Sequence, residues 1–130
     1  MGKRYDSMVT YKTLVLGAST NPQRYSHQAV VLLKKNNIQT VPMGVKSGTI
    51  EGLEIIPAFT PLDEIHTVSL YLSPFRQNAY FDYIIELNPK RVVFNPGTEN
   101  PVFTQKLNLE NIPWENACTL VLLSTNQYQS

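Results

Sequence analysis

Four short apolar runs recur along the chain with helix-like segments between them, and this alternation constrains the fold more than any other feature. Residues 12–17 (KTLVLG), 38–43 (IQTVPM), 67–72 (TVSLYL) and 91–94 (RVVF) read as buried strands, being short, apolar and bounded by turn residues. Pro42 predicts that pairing stops near the end of the second. A short edge strand is expected near 53–56 and a last strand at 113–117. Residues 26–37 have helical character, with Ala29, Val30 and Leu33 on one face and Lys34 and Lys35 at the end, where cations suit the helix dipole. Ser26 is the expected N-cap, with Tyr25 and Val30 as a hydrophobic staple. Ser73-Pro74 starts a further helix that carries Phe81, Ile84 and Ile85 and stops near Asn88-Pro89. Asn100-Pro101 starts another, and 118–124 is a closing helix. Strands and helices alternating at this spacing imply right-handed crossovers, hence an α/β domain with a parallel sheet of about five strands and helices on both faces.

The chain has 130 residues, which fits one domain with a real core. We expect a polar extension at 1–11, the domain at 12–124 and a tail at 125–130. A formal net charge of +1 with scattered basic residues gives no electrostatic footprint for nucleic acid or an anionic membrane. One cysteine, Cys118, excludes an internal disulfide framework and a cysteine-rich metal site. No run approaches the ~18 apolar residues that span a bilayer. The first residues are polar, and Asp6 stands where a myristoylation pattern after Gly2 wants Ser or Thr. A cytoplasmic protein is the expectation.

In a parallel sheet of this kind ligands bind outside the carboxyl ends of the strands, where the strand order switches. Three connections fall there. The first reads GASTNPQRYS: Gly17 permits a tight turn, Ala18 follows, Ser19, Asn21 and Ser26 offer hydrogen bonds, and Arg24 adds a fixed charge beside a helix N-terminus. Those groups suit a pyrophosphate, although an ordinary polar loop with a good cap uses the same residues. The dinucleotide fingerprint G-x-G-x-x-G and the Walker sequence are both absent. After the second strand come Pro42, Met43, Gly44, Val45 and Lys46, with no carboxylate before Glu51, where an NAD site usually has one. An apolar lip followed by lysine suits an adenine beside a phosphorylated ribose, as in coenzyme A or NADP.

Taken together, GASTNPQRYS, VPMGVK, EGLEIIPAF, YLSP, NPGTEN and NACTLV, in this order over residues 12–123, resemble the small stand-alone CoA-binding proteins of the succinyl-CoA-synthetase-like Rossmann superfamily. The resemblance implies a single Rossmann-like domain and coenzyme A, or an acyl-CoA, as cofactor. By it, Gly17 to Ser26 hold the CoA phosphates, with Ser19, Asn21, Arg24 and Ser26 as contacts. Pro42, Met43 and Lys46 border the adenosine 3′-phosphate end, Leu72, Ser73 and Pro74 touch the pantetheine arm or pyrophosphate, and Asn95, Pro96 and Gly97 line its far end. The chain departs from its relatives at Ser73-Pro74-Phe75-Arg76, where they often place an arginine nearer the strand.

The larger synthetases add a phosphorylated histidine and an ATP-grasp partner. Neither His27 nor His66 has an acid placed in sequence so as to suggest a relay, no serine lies in a G-x-S-x-G elbow, and Cys118 reads as a packing residue. The expected function is therefore a CoA or acyl-CoA binding module without catalysis of its own: a sensor, a protector, or a subunit beside a separate ATP-grasp or enzyme subunit. An NAD(P)-binding oxidoreductase-like protein and an interaction domain with a decayed nucleotide pocket are the alternatives.

Overall fold

Four runs whose side chains are almost all buried, rich in leucine and β-branched residues, form most of the central sheet, and a partly exposed strand completes it. The computed structural model of the protein describes residues 10–129; Gly2 and Asp6 of the expected extension, and Ser130 of the expected tail, lie outside the described residues. The strands are β1 (Thr13–Leu16), β2 (Thr40–Met43), β5 (Thr67–Leu70), β6 (Arg91–Phe94) and β7 (Trp114–Asn116), with a two-stranded hairpin of β3 (Thr49–Ile50) and β4 (Leu53–Glu54) outside the sheet. The sheet order is β2-β1-β5-β6-β7, and every pair is parallel. The expected edge strand near 53–56 is thus half of a hairpin, and Ile56 alone bridges Met43.

Pairing does not stop at Pro42. Its register continues against Val15, and Met43 pairs with Leu16. The reason lies in the direction of its backbone: the Pro42 carbonyl accepts from the Ile56 N–H at 3.0 Å, on the side away from β1. The missing N–H of proline therefore falls on the outer edge and costs β1 no bond.

The helices are α1 (Tyr25–Lys35), α2 (Pro74–Gln77), a 3₁₀ turn (Asn78–Tyr80), α3 (Phe81–Leu87), α4 (Pro101–Leu109) and α5 (Thr119–Ser124). Alternation along the strands sends Leu14, Leu16, Val68 and Leu70 to one face, where Phe81, Ile84, Phe103 and Leu107 of α3 and α4 cover them. Val15 faces the other way, into Val30 and Leu33 of α1 and Leu123 of α5. Both faces of the sheet are covered, as the alternation of elements predicts.

Two helix starts follow the cap-and-proline reading, and the N-cap expected for α1 is displaced. Asn100 caps α4 by accepting from the Phe103 N–H at 3.2 Å. Ser73 stands at the cap of α2 without a side-chain bond, and Cys118 precedes α5. The start of α1, however, is Arg24 and not Ser26. The Arg24 N–H bonds the Asn21 carbonyl and the Arg24 carbonyl accepts from Gln28, so the helix begins two residues early. Ser26 is buried in its first turn, Tyr25 is 70% exposed while Val30 is fully buried, and no staple joins them.

Candidate functional site

The strand order reverses between β1 and β5, because β1 leads outward to β2 while β5 lies on its other side. At the carboxyl ends of these two strands their connections part, and the crevice of a parallel sheet opens there. A cleft of about 540 Å³ occupies this place. Its wall has three parts: the loop from Gly17 into the first turn of α1, the segment Gly44 to Lys46 beyond β2, and Tyr71, Leu72, Arg76 and Tyr80 beyond β5.

Local bonds fix the first wall. Gly17, at φ +100°, turns the chain out of β1, and the N–H groups of Gly17 and Ala18 both donate to the Met43 carbonyl at 2.9 Å. The Ser19 hydroxyl accepts from the Asn21 N–H at 3.1 Å, and the Asn21 carboxamide accepts from the Gln23 N–H at 3.0 Å. The His27 Nδ1 lies 2.8 Å from the Ser19 carbonyl, pinning the loop to α1. The first turn of α1 carries no acidic residue, so its positive dipole end is not neutralised by its own side chains. A helix N-terminus so arranged suits an anion.

The second wall stands close against the first. A side chain at Gly44 would place its Cβ 2.4 Å from the Ala18 carbonyl oxygen, so only glycine permits this approach. The approach brings Lys46 to the cleft beside the loop that follows β1.

Of the residues picked from sequence, Gly17, Ala18, Ser19, Arg24, Ser26, Lys46 and Leu72 line the cleft together. The others do not. Asn21 shapes the loop through its Gln23 bond. Met43 is fully buried in the core, and Pro42 is buried in β2, so neither side chain forms a lip. Ser73 and Pro74 are exposed outside the cleft. Asn95 is 1% exposed: its amide donates to the Ser69 hydroxyl at 2.9 Å and the Leu70 carbonyl at 2.8 Å, and its oxygen accepts from the Thr119 N–H at 2.8 Å. That side chain is a clamp between β5, β6 and α5. Pro96 and Gly97 are exposed and do not reach the cleft.

Sequence reasoning missed Thr20, Gln23, Tyr25, Gly44, Val45, Tyr71, Arg76 and Tyr80. Most lie inside the quoted motifs, between residues that were chosen. Arg76 and Tyr80 stand four apart after the Ser73-Pro74 start, a spacing that puts both on one helical face.

The lining carries three cations, Arg24, Lys46 and Arg76, and no carboxylate, imidazole or thiol. None of the three makes an ion pair among the described residues. Burial, and then the neighbouring Cys118, push the Tyr71 phenol well above its ordinary range, so it stays neutral and is a poor proton donor or base near neutral pH. Among the described residues no group of three potential metal ligands occurs, and no helix is long and apolar enough to cross a membrane.

Residues 11–124 match a family described as a CoA binding domain. No curated protein matches the chain. A crystal structure of an uncharacterized protein is 39% identical, with a TM-score of 0.88 over 92% of this chain and 98% of its own. A protein from Thermus thermophilus shares the fold at 20% identity, with a TM-score of 0.81 over 96% of this chain and 95% of its own. A hypothetical protein from Pyrococcus horikoshii does so at 22% identity, with a TM-score of 0.79 over 95% of this chain and 87% of its own.

Proposed function

The chain belongs to the CoA binding domain family, and on that premise we propose that its cleft holds coenzyme A or an acyl-CoA as a binding module that catalyses no reaction by itself. The observation that carries the proposal is the set of three cations, Arg24, Lys46 and Arg76, around a cleft without a carboxylate and beside the first turn of α1. Such a wall is complementary to a ligand with several phosphates. Arg24 and the helix start serve the pyrophosphate, and Lys46, beyond β2, serves the 3′-phosphate.

The lining supports the non-catalytic part as well. It holds no carboxylate, imidazole or thiol, the side chains that most often act as general acid, general base or nucleophile. In this reading the protein senses or protects CoA, or holds it for a separate ATP-grasp or other enzyme subunit, in the cytoplasm. An NAD site would want a carboxylate after β2, where Gly44, Val45 and Lys46 stand. A decayed pocket would not leave an open cleft of about 540 Å³.

Calorimetric titration of wild type and Lys46→Ala with CoA, 3′-dephospho-CoA and NADP tests the assignment. The wild type should bind CoA more tightly than dephospho-CoA, and Lys46→Ala should erase that preference. Tighter binding of NADP than of CoA would contradict the ligand class, and hydrolysis or transfer of an acyl group by the protein alone would contradict the non-catalytic part.

A further inference from the structure

The lining of the cleft runs past β5 to Arg76 and Tyr80 and takes in no residue from the loop after β6. A pantetheine arm running on over Asn95 and Gly97 would need open space between the carboxyl ends of β5 and β6, and that space is filled. Gln77 is fully buried there. It donates to the Leu72 carbonyl at 2.9 Å and the Thr98 carbonyl at 2.8 Å, and its oxygen accepts from the Asn100 amide at 3.0 Å. A buried amide with all of these partners satisfied is costly to displace. Together with the Asn95 clamp, it closes the path toward the β6 loop.

On the cleft's side of that plug stands Tyr80, which lines it yet is only 9% exposed. Its ring is stacked on Phe59, centroids 4.8 Å apart and planes at 26°, and Tyr83 meets both rings edge-on. The Tyr83 hydroxyl donates to the Thr60 carbonyl at 2.5 Å, tying this trio to the loop that carries Phe59. Phe59 itself holds φ +65°, a left-handed conformation uncommon for a bulky residue. It is half-exposed and does not line the cleft, so it braces Tyr80 from outside. A ligand with phosphates at Arg24 and its 3′-phosphate at Lys46 has only the β5 side left for its thiol end, the stretch from Leu72 to Tyr80.

We infer that Tyr80, braced by Phe59, is an end-stop that restricts the ligand to free CoA or CoA bearing a short acyl group. The inference rests on the CoA reading of the cleft. Its test is a chain-length series of CoA, acetyl-CoA and octanoyl-CoA titrated into the wild type, Phe59→Ala and Tyr80→Ala. For the wild type, acetyl-CoA should bind within about threefold of CoA and octanoyl-CoA at least about tenfold more weakly, since surplus methylenes meet a filled site. Both variants should narrow that gap, and Phe59→Ala, which lies outside the cleft, should leave CoA binding within about threefold of wild type. The wild-type series decides even where Tyr80→Ala fails to fold, and the half-exposed Phe59 is the milder change. Equal or tighter wild-type binding of octanoyl-CoA overturns the end-stop while the CoA reading stands, and an unchanged gap in Phe59→Ala overturns the bracing. Absence of binding to CoA itself removes both readings at once.

Discussion

Arg24 does two jobs with different atoms. Its backbone closes the turn onto Asn21 and Gln28 that starts α1, while its exposed side chain lines the cleft. Arg24→Ala keeps the backbone and removes the charge, so it should weaken CoA binding by about 1.5–3 kcal/mol, the range for a charge-assisted bond, with little change in Tm. Affinity of the variant by titration, read beside its melting curve, checks this. A second residue-scale prediction concerns His66, whose ring packs tilted at 45° against Tyr11, centroids 4.3 Å apart, and faces the Thr67 hydroxyl at 2.8 Å. Burial first, then Arg91 and Lys90, lower its pKa below 6.5. The folded state thus takes up its proton less readily than the unfolded chain, so stability is full above pH 6.5 and declines as the pH falls below it. Melting curves of wild type and His66→Gln over that range should diverge, the wild type losing more. Parallel curves would show that His66 is not the group responsible.

At the scale of elements, the strands and the three connecting loops were readable because buried runs and glycine, proline and cap residues are local signals. Lys46 and Arg24 were legible for that reason. What was not legible depends on partners remote in sequence. Met43 and Asn95 look like loop-edge residues, yet one is core and the other is held by Ser69, Leu70 and Thr119. The orientation of Pro42 depends on Ile56, and no local rule places that bridge. The start of α1 was misjudged because Ser26 has better cap chemistry than Arg24, and Asn21 overrides it through the preceding turn. The Asn95 clamp yields an element-scale prediction. Asn95→Ala leaves the Thr119 N–H of the α5 start without its buried acceptor, which should cost about 1–3 kcal/mol. The loss should appear in chemical unfolding and as faster amide exchange at Thr119.

For the whole molecule, the two ends of the described chain meet at the amino edge of the sheet. Tyr128 lies in the expected tail, yet it is 2% exposed. Its hydroxyl pairs with the Thr13 hydroxyl at 2.5 Å, and the Arg91 guanidinium stands 4.4 Å from its ring centroid while bonding its carbonyl. Nothing in a polar segment ending NQYQS marks one tyrosine as core, since its pocket is built by β1 and β6. Tyr128→Ala should destabilise the fold by about 3–5 kcal/mol, measured by denaturant unfolding, while CoA affinity at the opposite edge stays near the wild-type value. That separation follows from the architecture, with Tyr128 against the amino ends of the strands and the cleft at the carboxyl ends.

The central claim, that the crevice between β1 and β5 holds coenzyme A, is tested most directly by thermal unfolding with CoA, 3′-dephospho-CoA, acetyl-CoA, NAD and NADP. A ligand at about a hundred times its dissociation constant stabilises the folded state by ~2.7 kcal/mol, a shift readily seen in a domain of this size. The account predicts a clear rise in Tm with CoA and acetyl-CoA, a smaller one with dephospho-CoA and none with NAD. A rise with NAD or NADP alone, or with none of the five, would contradict it.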